Sequence, residues 1–261
     1  MLALLGGCTR SIEISNAPGA ANGLVMVLTG IEGASYFNRS IVEGLLAGGV
    51  DCQIERVDWT SHIPLAYLYN ERAENRNRRK AQEYASRIAR YQAQHPGKPV
   101  FLVGQSGGGA VAAWIAEELP PGCRVDGIIM LAVALSPEYI LSEALMNSRQ
   151  GIVSFYSDRD VVLLGAGTTM VGTMDGEHTS SAGRGGFHLP SPECRPFYRR
   201  LYQVPWTPDM QAGGNWGLHL TSGSARFVAN YVAPLIRANK WDDALVQDIA
   251  SGRVARGQAK P

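Results

Sequence analysis

The sequence predicts an α/β fold: a doubly wound, mostly parallel sheet of about eight strands with helices on both faces. Three observations predict it. Short continuous apolar runs, the mark of strands buried on both sides, recur along the chain. Longer stretches with helical periodicity alternate with them, the order that builds parallel crossover units. One strand, residues 99–103, runs directly into the turn Gly104-Gln105-Ser106-Gly107-Gly108 and from there into an apolar helix. With 261 residues, 45% of them hydrophobic and 18% charged, the chain has the apolar material for one large domain.

Residues 1–22 stand apart from that pattern. Leu4-Leu5-Gly6-Gly7-Cys8 resembles a bacterial lipobox, in which small residues precede a cysteine that becomes lipidated. Only Met1 to Leu5 precede the glycines, against the roughly 7–15 apolar residues of a full signal. The expectation is therefore a truncated lipoprotein signal, with residues 9–21 as a polar tether and the protein held in a bacterial cell envelope through Cys8; the alternative is an accidental match and a cytoplasmic protein. No other segment is long and apolar enough to span a bilayer. Cys52, Cys123 and Cys194 then remain, an odd number to which no disulfide can be assigned.

The domain proper is expected over residues 23–238. Residues 24–29 form the first buried strand, closed by the loop Gly30-Ile31-Glu32-Gly33. A helix capped by Asn38 runs to Leu46 and stops at Gly48-Gly49, and residues 50–57 alternate as a second strand. Residues 70–94 read as one long amphipathic helix ended by Pro96-Gly97, leading into the strand before Ser106. Its arginines are interleaved with Glu74, Glu83, Tyr84, Ile88 and Tyr91, the pattern of a solvated helix face. After the helix that follows Ser106, residues 125–134 and 151–156 read as strands with a helix at 137–146 between them. The segment 165–186 is rich in Gly, Ser and Thr, and a structureless stretch of that length is commonly functional. Residues 201–204 are a last core strand and 222–236 a closing helix. Residues 239–261 carry a short helix and a polar tail.

The net charge of +1 supplies no field for nucleic acid, and no Cys/His spacing resembles a metal site, so neither metal nor cofactor is expected. The chemistry centres on Ser106. A serine hydroxyl needs a base within hydrogen-bond reach and an acid to orient that base. In open parallel sheets such groups gather beyond the carboxyl ends of strands, which places the acid after residues 151–156. Asp160 fits best there, with Asp158 in reserve. Of five histidines, His62 and His95 precede the serine, while His178 and His188 come before the last strand. His219 follows that strand and precedes the closing helix, which makes it the preferred base, with His178 next. The N–H groups of Gly107 and Ile31 are placed to hold a developing oxyanion. Glu32 in the same loop is expected to point away, since a carboxylate there would oppose that charge. Trp59, Trp206, Trp216 and Met210 are candidates for an apolar acyl pocket or for core.

Taken together, Gly104 to Gly108, Asp160 and His219, in the order Ser, Asp, His, resemble the α/β-hydrolase family over residues 23–236. The resemblance implies an eight-stranded sheet, hydrolysis through an acyl-enzyme and no metal. Thr29-Gly30 stands where an oxyanion loop of the family often begins His-Gly, and Gln105 stands where His often precedes the nucleophile. The function expected is a serine hydrolase acting on a small-molecule or lipid acyl substrate. The alternative is a non-catalytic envelope protein that keeps the pocket and has lost the chemistry.

Overall fold

A run such as Leu24-Val25-Met26-Val27-Leu28 has no polar side to turn to water, so it is covered on both faces. Leu24, Met26 and Leu28 enter one core layer, and Val25 and Val27 the other. The computed structural model describes residues 12–61, 67–160, 163–164, 168–169 and 173–253. In chain order its first half holds β1 (Ile12–Ser15), β2 (Leu24–Leu28), α1 (Tyr36–Ala47), β3 (Gln53–Val57), α2 (Tyr67–Arg72), α3 (Glu74–Gln94), β4 (Val100–Gln105) and α4 (Gly107–Glu117). The second half holds β5 (Gly127–Leu131), α5 (Ser142–Met146), β6 (Ile152–Tyr156), the short pair β7 (Leu163–Leu164) and β8 (Thr168–Thr169), α6 (Ala182–Gly185), α7 (Arg195–Tyr198) and β9 (Leu201–Pro205). A closing helix then runs as α8 (Ala225–Phe227), a π-helical turn (Val228–Val232) and α9 (Ala233–Arg237), followed by α10 (Asp243–Ala250).

The main sheet has seven strands in the order β1-β3-β2-β4-β5-β6-β9, one fewer than the eight expected, and all neighbours are parallel except β1 with β3. β2 and β4 are adjacent, with the chain moving outward from β2 to β3 and from β4 to β5. Their carboxyl ends therefore flank the point where the winding reverses, the place where open α/β sheets offer a crevice. One face carries α3, α4 and α5, and the other carries α1, the closing helix and α10. α1 crosses the closing helix at a glycine seam. A Cβ on Gly44 would stand 2.4 Å from the Ala225 carbonyl oxygen, and one on Gly48 would stand 2.3 Å from the Ala233 Cβ.

Several expectations are corrected. The tether expected over residues 9–21 is in part sheet: Ile12-Glu13-Ile14-Ser15 pairs antiparallel with β3, an alternating segment too short to stand out as a strand. α1 starts earlier than Asn38, with Ser35 as cap, and Asn38 in the first turn takes a hydrogen bond from the Ser35 N–H. The strand at 50–57 begins only at Gln53, because the Val50 N–H is used in the turn after α1. The long helix breaks at Ala73 into α2 and α3. The helix at 137–146 is reduced to α5: the Ser136 amide and hydroxyl bond Asp175, and the Leu141 amide bonds the Tyr198 hydroxyl. The segment 165–186 is not structureless, since Thr168–Thr169 pairs with Leu163–Leu164 and α6 forms near its end. The lipobox, Cys8 and His62 lie outside the described residues. Among the described residues no helix is long and apolar enough to cross a membrane.

Candidate active site

The turn from β4 into α4 is as sharp as its glycines imply. Ser106 has φ 55° and ψ −125°, backbone that an L residue adopts only under strain. The surroundings hold it there. The Ser106 N–H donates to Leu131 O (2.9 Å), and its carbonyl accepts from Ala134 N (3.1 Å) and Gly109 N (3.0 Å), which ties the elbow to the end of β5. A Cβ on Gly104 would lie 2.3 Å from the Gly108 carbonyl oxygen, and one on Gly108 would lie 2.3 Å from Leu28 O and 2.5 Å from Thr29 O. Glycine at both positions lets α4 pass against its own strand and against the end of β2.

Beyond the carboxyl end of β6, Ser157 begins a turn that brings Asp160 inward, and the Asp160 N–H donates to Ser157 O (2.9 Å). His219 Nδ1 stands 2.8 Å from Asp160 Oδ1 and 3.1 Å from Oδ2, with both side chains buried. A neutral imidazole with its proton on Nδ1 donates to that carboxylate and leaves Nε2 as the basic nitrogen. Asp158 is exposed, and Arg159 stacks over Trp206 at 4.3 Å. The other histidines are placed elsewhere: His178 is exposed, His188 pairs with Glu138 on the surface, and His95 stacks on Tyr91.

Gln105 links the two halves, a role its sequence gave no reason to expect. From the residue before the serine, its side-chain amide donates to His219 O (3.2 Å) and Leu220 O (3.4 Å), while Gly223 packs against it. The loop that carries His219 is thereby fastened to the strand that ends at Ser106. Ser106 and His219 are 4% and 7% exposed, so both are buried. Among the described residues the Ser106 hydroxyl makes no hydrogen bond. Serine-to-base bonds are often long without substrate and shorten when it seats.

Ile31 comes to the opposite side of the elbow. Its Cγ2 lies 2.8 Å from the position of a Cβ on Gly107, with Met174 Sδ and Trp59 Cζ2 each at 3.2 Å. Neither the Ile31 N–H nor the Gly107 N–H donates to a partner among the described residues, so both remain available to an anion. The loop is held by two buried asparagines, a further role not foreseen. Asn70 Nδ2 donates to Ile31 O (3.0 Å), and Asn38 Nδ2 donates to Gly33 O (2.8 Å). Asp58 accepts from Ala34 N at 2.9 Å.

The Glu32 carboxylate stands within electrostatic reach of His219. It folds back over Gly30, where a Cβ would lie 2.1 Å from Oε2. Burial raises its pKa above the ordinary carboxylate value, offset in part by its own backbone N–H, by Ser35 and Asn38, and by the positive charge of His219 when protonated. Met174 brings part of the Gly-rich segment onto the elbow, fixed by its amide to Ala134 O (2.8 Å). Of the acyl-pocket candidates, Trp59 and Met210 are buried, Trp59 beside Gly107, and Trp216 is exposed. Apolar side chains are exposed on the segments that follow the Ile31 loop and flank His219: Tyr36 and Phe37 at the start of α1, and Leu218 and Leu220 on either side of His219. A cavity of about 430 Å³ lined by Pro99, Asp126 and Arg237 lies at the opposite ends of the strands, away from Ser106.

No protein-family model matches the chain, and no curated protein does. Solved structures share its fold. The acylaminoacyl peptidase of Pyrococcus horikoshii superposes with a TM-score of 0.52 at 11% identity, over 88% of this chain and 39% of that one. Aspergillus fumigatus lipase B superposes with a TM-score of 0.50 at 14% identity, over 94% of this chain and 60% of the lipase. The esterase domain of a Rhodothermus marinus protein gives 0.47 at 15% identity, over 87% and 90%. The chain thus spans well under two thirds of the peptidase and somewhat under two thirds of the lipase. At these identities the likeness is one of fold.

Proposed function

We propose that this chain, which has the α/β-hydrolase fold, is a serine hydrolase that cleaves a carboxylic ester or similar acyl substrate through an acyl-enzyme. Ser106 attacks the acyl carbon while His219 Nε2 takes the hydroxyl proton. Asp160 keeps the ring oriented and stabilises the imidazolium that results. The tetrahedral oxyanion lies against the N–H groups of Gly107 and Ile31, each donor commonly worth about 3–4 kcal/mol. The protonated imidazole then gives its proton to the leaving group, and water repeats the sequence on the acyl-enzyme.

One observation carries this reading: a strained serine between β4 and α4, with a buried His219–Asp160 pair on a loop that Gln105 fastens to the same strand. The exposed apolar side chains of Tyr36, Phe37, Leu218 and Leu220, on the segments next to Ile31 and His219, suit a substrate with an apolar portion. The test is labelling of the purified protein by a fluorophosphonate, with Ser106→Ala as control. Labelling of the wild type alone is expected, and its absence from the folded wild type overturns the reading. Attachment to a bacterial envelope through a lipidated Cys8 belongs to the same proposal, and metabolic labelling with a fatty-acid analogue, lost in Cys8→Ala, checks it.

A further inference from the structure

The segment that carries His219 alternates strictly between inside and outside. Asn215, Gly217 and His219 are buried, and Trp216, Leu218 and Leu220 between and after them are exposed. Hydrogen bonds fix that alternation: the Thr221 hydroxyl accepts from the N–H groups of Trp216 and Leu218 (both 3.1 Å), and the Asn215 side chain accepts from Gly217 N (3.0 Å). Three large apolar side chains are held in water by a braced turn.

The start of α1 lies on the same side. Gly44 packs on Ala225 and Val228, and Gly48 on Ala229 and Ala233, so α1 and the closing helix run side by side in one direction, four residues against four. Followed back, this register leads the start of α1 toward the turn Thr221–Gly223, which α1 touches and which Leu220 directly precedes. Tyr36 and Phe37, in the first turn of α1, are both exposed.

The amino-terminal chain enters at this end too. β1 pairs antiparallel with β3, so Ile12 lies opposite Val57, at the carboxyl end of the parallel strands. Glu13 forms an ion pair with Arg56, whose guanidinium also donates to Asn38 Oδ1 (2.9 Å) and Ser35 O (3.4 Å) at the start of α1. Cys8 is four residues before Ile12, a separation of at most about 14 Å. A lipid on that cysteine would hold this end of the molecule, and not the other, against a bilayer. Amphipathic rings and aliphatic side chains are the groups that settle at a membrane interface.

We propose that the carboxyl end of the sheet is a membrane-docking face, with Tyr36, Phe37, Trp216, Leu218 and Leu220 as its apolar contacts and Cys8 as its anchor, so that the end carrying Ser106 faces the bilayer. The inference rests on the reading of Cys8 as a lipid anchor and extends it by assigning the face that meets lipid.

The test supplies the anchor chemically. The full chain, produced without lipid and carrying Cys123→Ser and Cys194→Ser, is coupled through Cys8 to a maleimide lipid in vesicles of phosphatidylethanolamine and phosphatidylglycerol, with or without brominated acyl chains; Cys52 is buried. The emission of Trp216, taken as the difference from Trp216→Phe, is expected to fall about twofold with bromine. On the Trp216→Phe background, Tyr36→Trp should be quenched as well, whereas Leu46→Trp, exposed about 15 Å further along α1, should not. Unquenched Trp216 overturns the proposal, as does a Leu46→Trp quenched as strongly as Tyr36→Trp. Without vesicles, a Trp216 emission that shifts to the blue as protein concentration rises would assign the face to a second copy of the chain and overturn it too. Because the anchor is installed by coupling, these failures leave lipidation in cells to the fatty-acid label and the hydrolase reading to the fluorophosphonate.

Discussion

His219 and Asp160, 59 positions apart in the chain, meet through one ring nitrogen and two carboxylate oxygens at 2.8 and 3.1 Å, in a buried setting. Asparagine at position 160 would keep the shape and present an amide that no longer favours the working tautomer. Asp160→Asn is expected to lower kcat by about 10⁴-fold, whereas Asp158→Asn, at an exposed position, changes it by less than about threefold. Steady-state hydrolysis of an activated ester checks both, and equal losses would move the acid away from Asp160.

The strain at Ser106 separates activity from stability. Ser106→Ala and Ser106→Gly should both abolish labelling, but glycine accepts φ 55° without a side-chain clash. Ser106→Gly is expected to be more stable than Ser106→Ala by about 1 kcal/mol in denaturant unfolding. Equal midpoints would show that the elbow stores no strain.

Two glycines make opposite use of the missing side chain. At Gly108 a Cβ would collide with the backbone oxygens of Leu28 and Thr29, atoms that cannot step aside without moving β2. Gly108→Ala should therefore cost about 3 kcal/mol or more. Gly97 has φ 75° and open space around it, so Gly97→Ala should cost only about 1 kcal/mol, from the backbone alone. Thermal or denaturant unfolding of the two variants gives the comparison.

Glu32 carries a pH signature with a definite sign. Its pKa is raised in the folded chain, chiefly by burial, so the folded state holds this proton more tightly than the unfolded one. Stability is lost as pH rises from the unfolded value through the folded value, and the whole cost is present above it. Glu32→Gln, whose side-chain oxygen can still accept from Ser35 and Asn38, should be more stable than the wild type at about pH 7 and should lose that advantage at about pH 4. Chemical denaturation at the two pH values decides it, and an advantage that grows on acidification would contradict the raised pKa.

Much of this was legible in the sequence because it rests on local sterics. Continuous apolar runs marked β2, β4, β5 and β6, and the glycines around Ser106 marked the elbow. Asp160 and His219 followed from chain order along a parallel sheet. What stayed hidden depends on partners distant in sequence. Gln105 bonds the loop at His219 across 114 positions, and Asn70 bonds Ile31 across 39, which no local pattern announces. β1 is four residues long and half exposed, so it becomes a strand only because the edge of β3 is open to it. Glu32 turns back because Ser35 and Asn38 lie in the first helical turn behind it, and a loop sequence does not reveal that geometry.

The glycine seam between α1 and the closing helix reaches further than packing. α1 grows out of the loop that carries Ile31 and Glu32, and the closing helix grows out of the loop that carries His219. The loops that carry Ile31 and His219 are therefore mounted on rods that cross at Gly44 and Gly48. The crossing acts as a spacer between the helix that follows Ile31 and the helix that follows His219. One methyl group added at Gly48, remote from the serine, would press on Ala233 and force the two rods apart at that end.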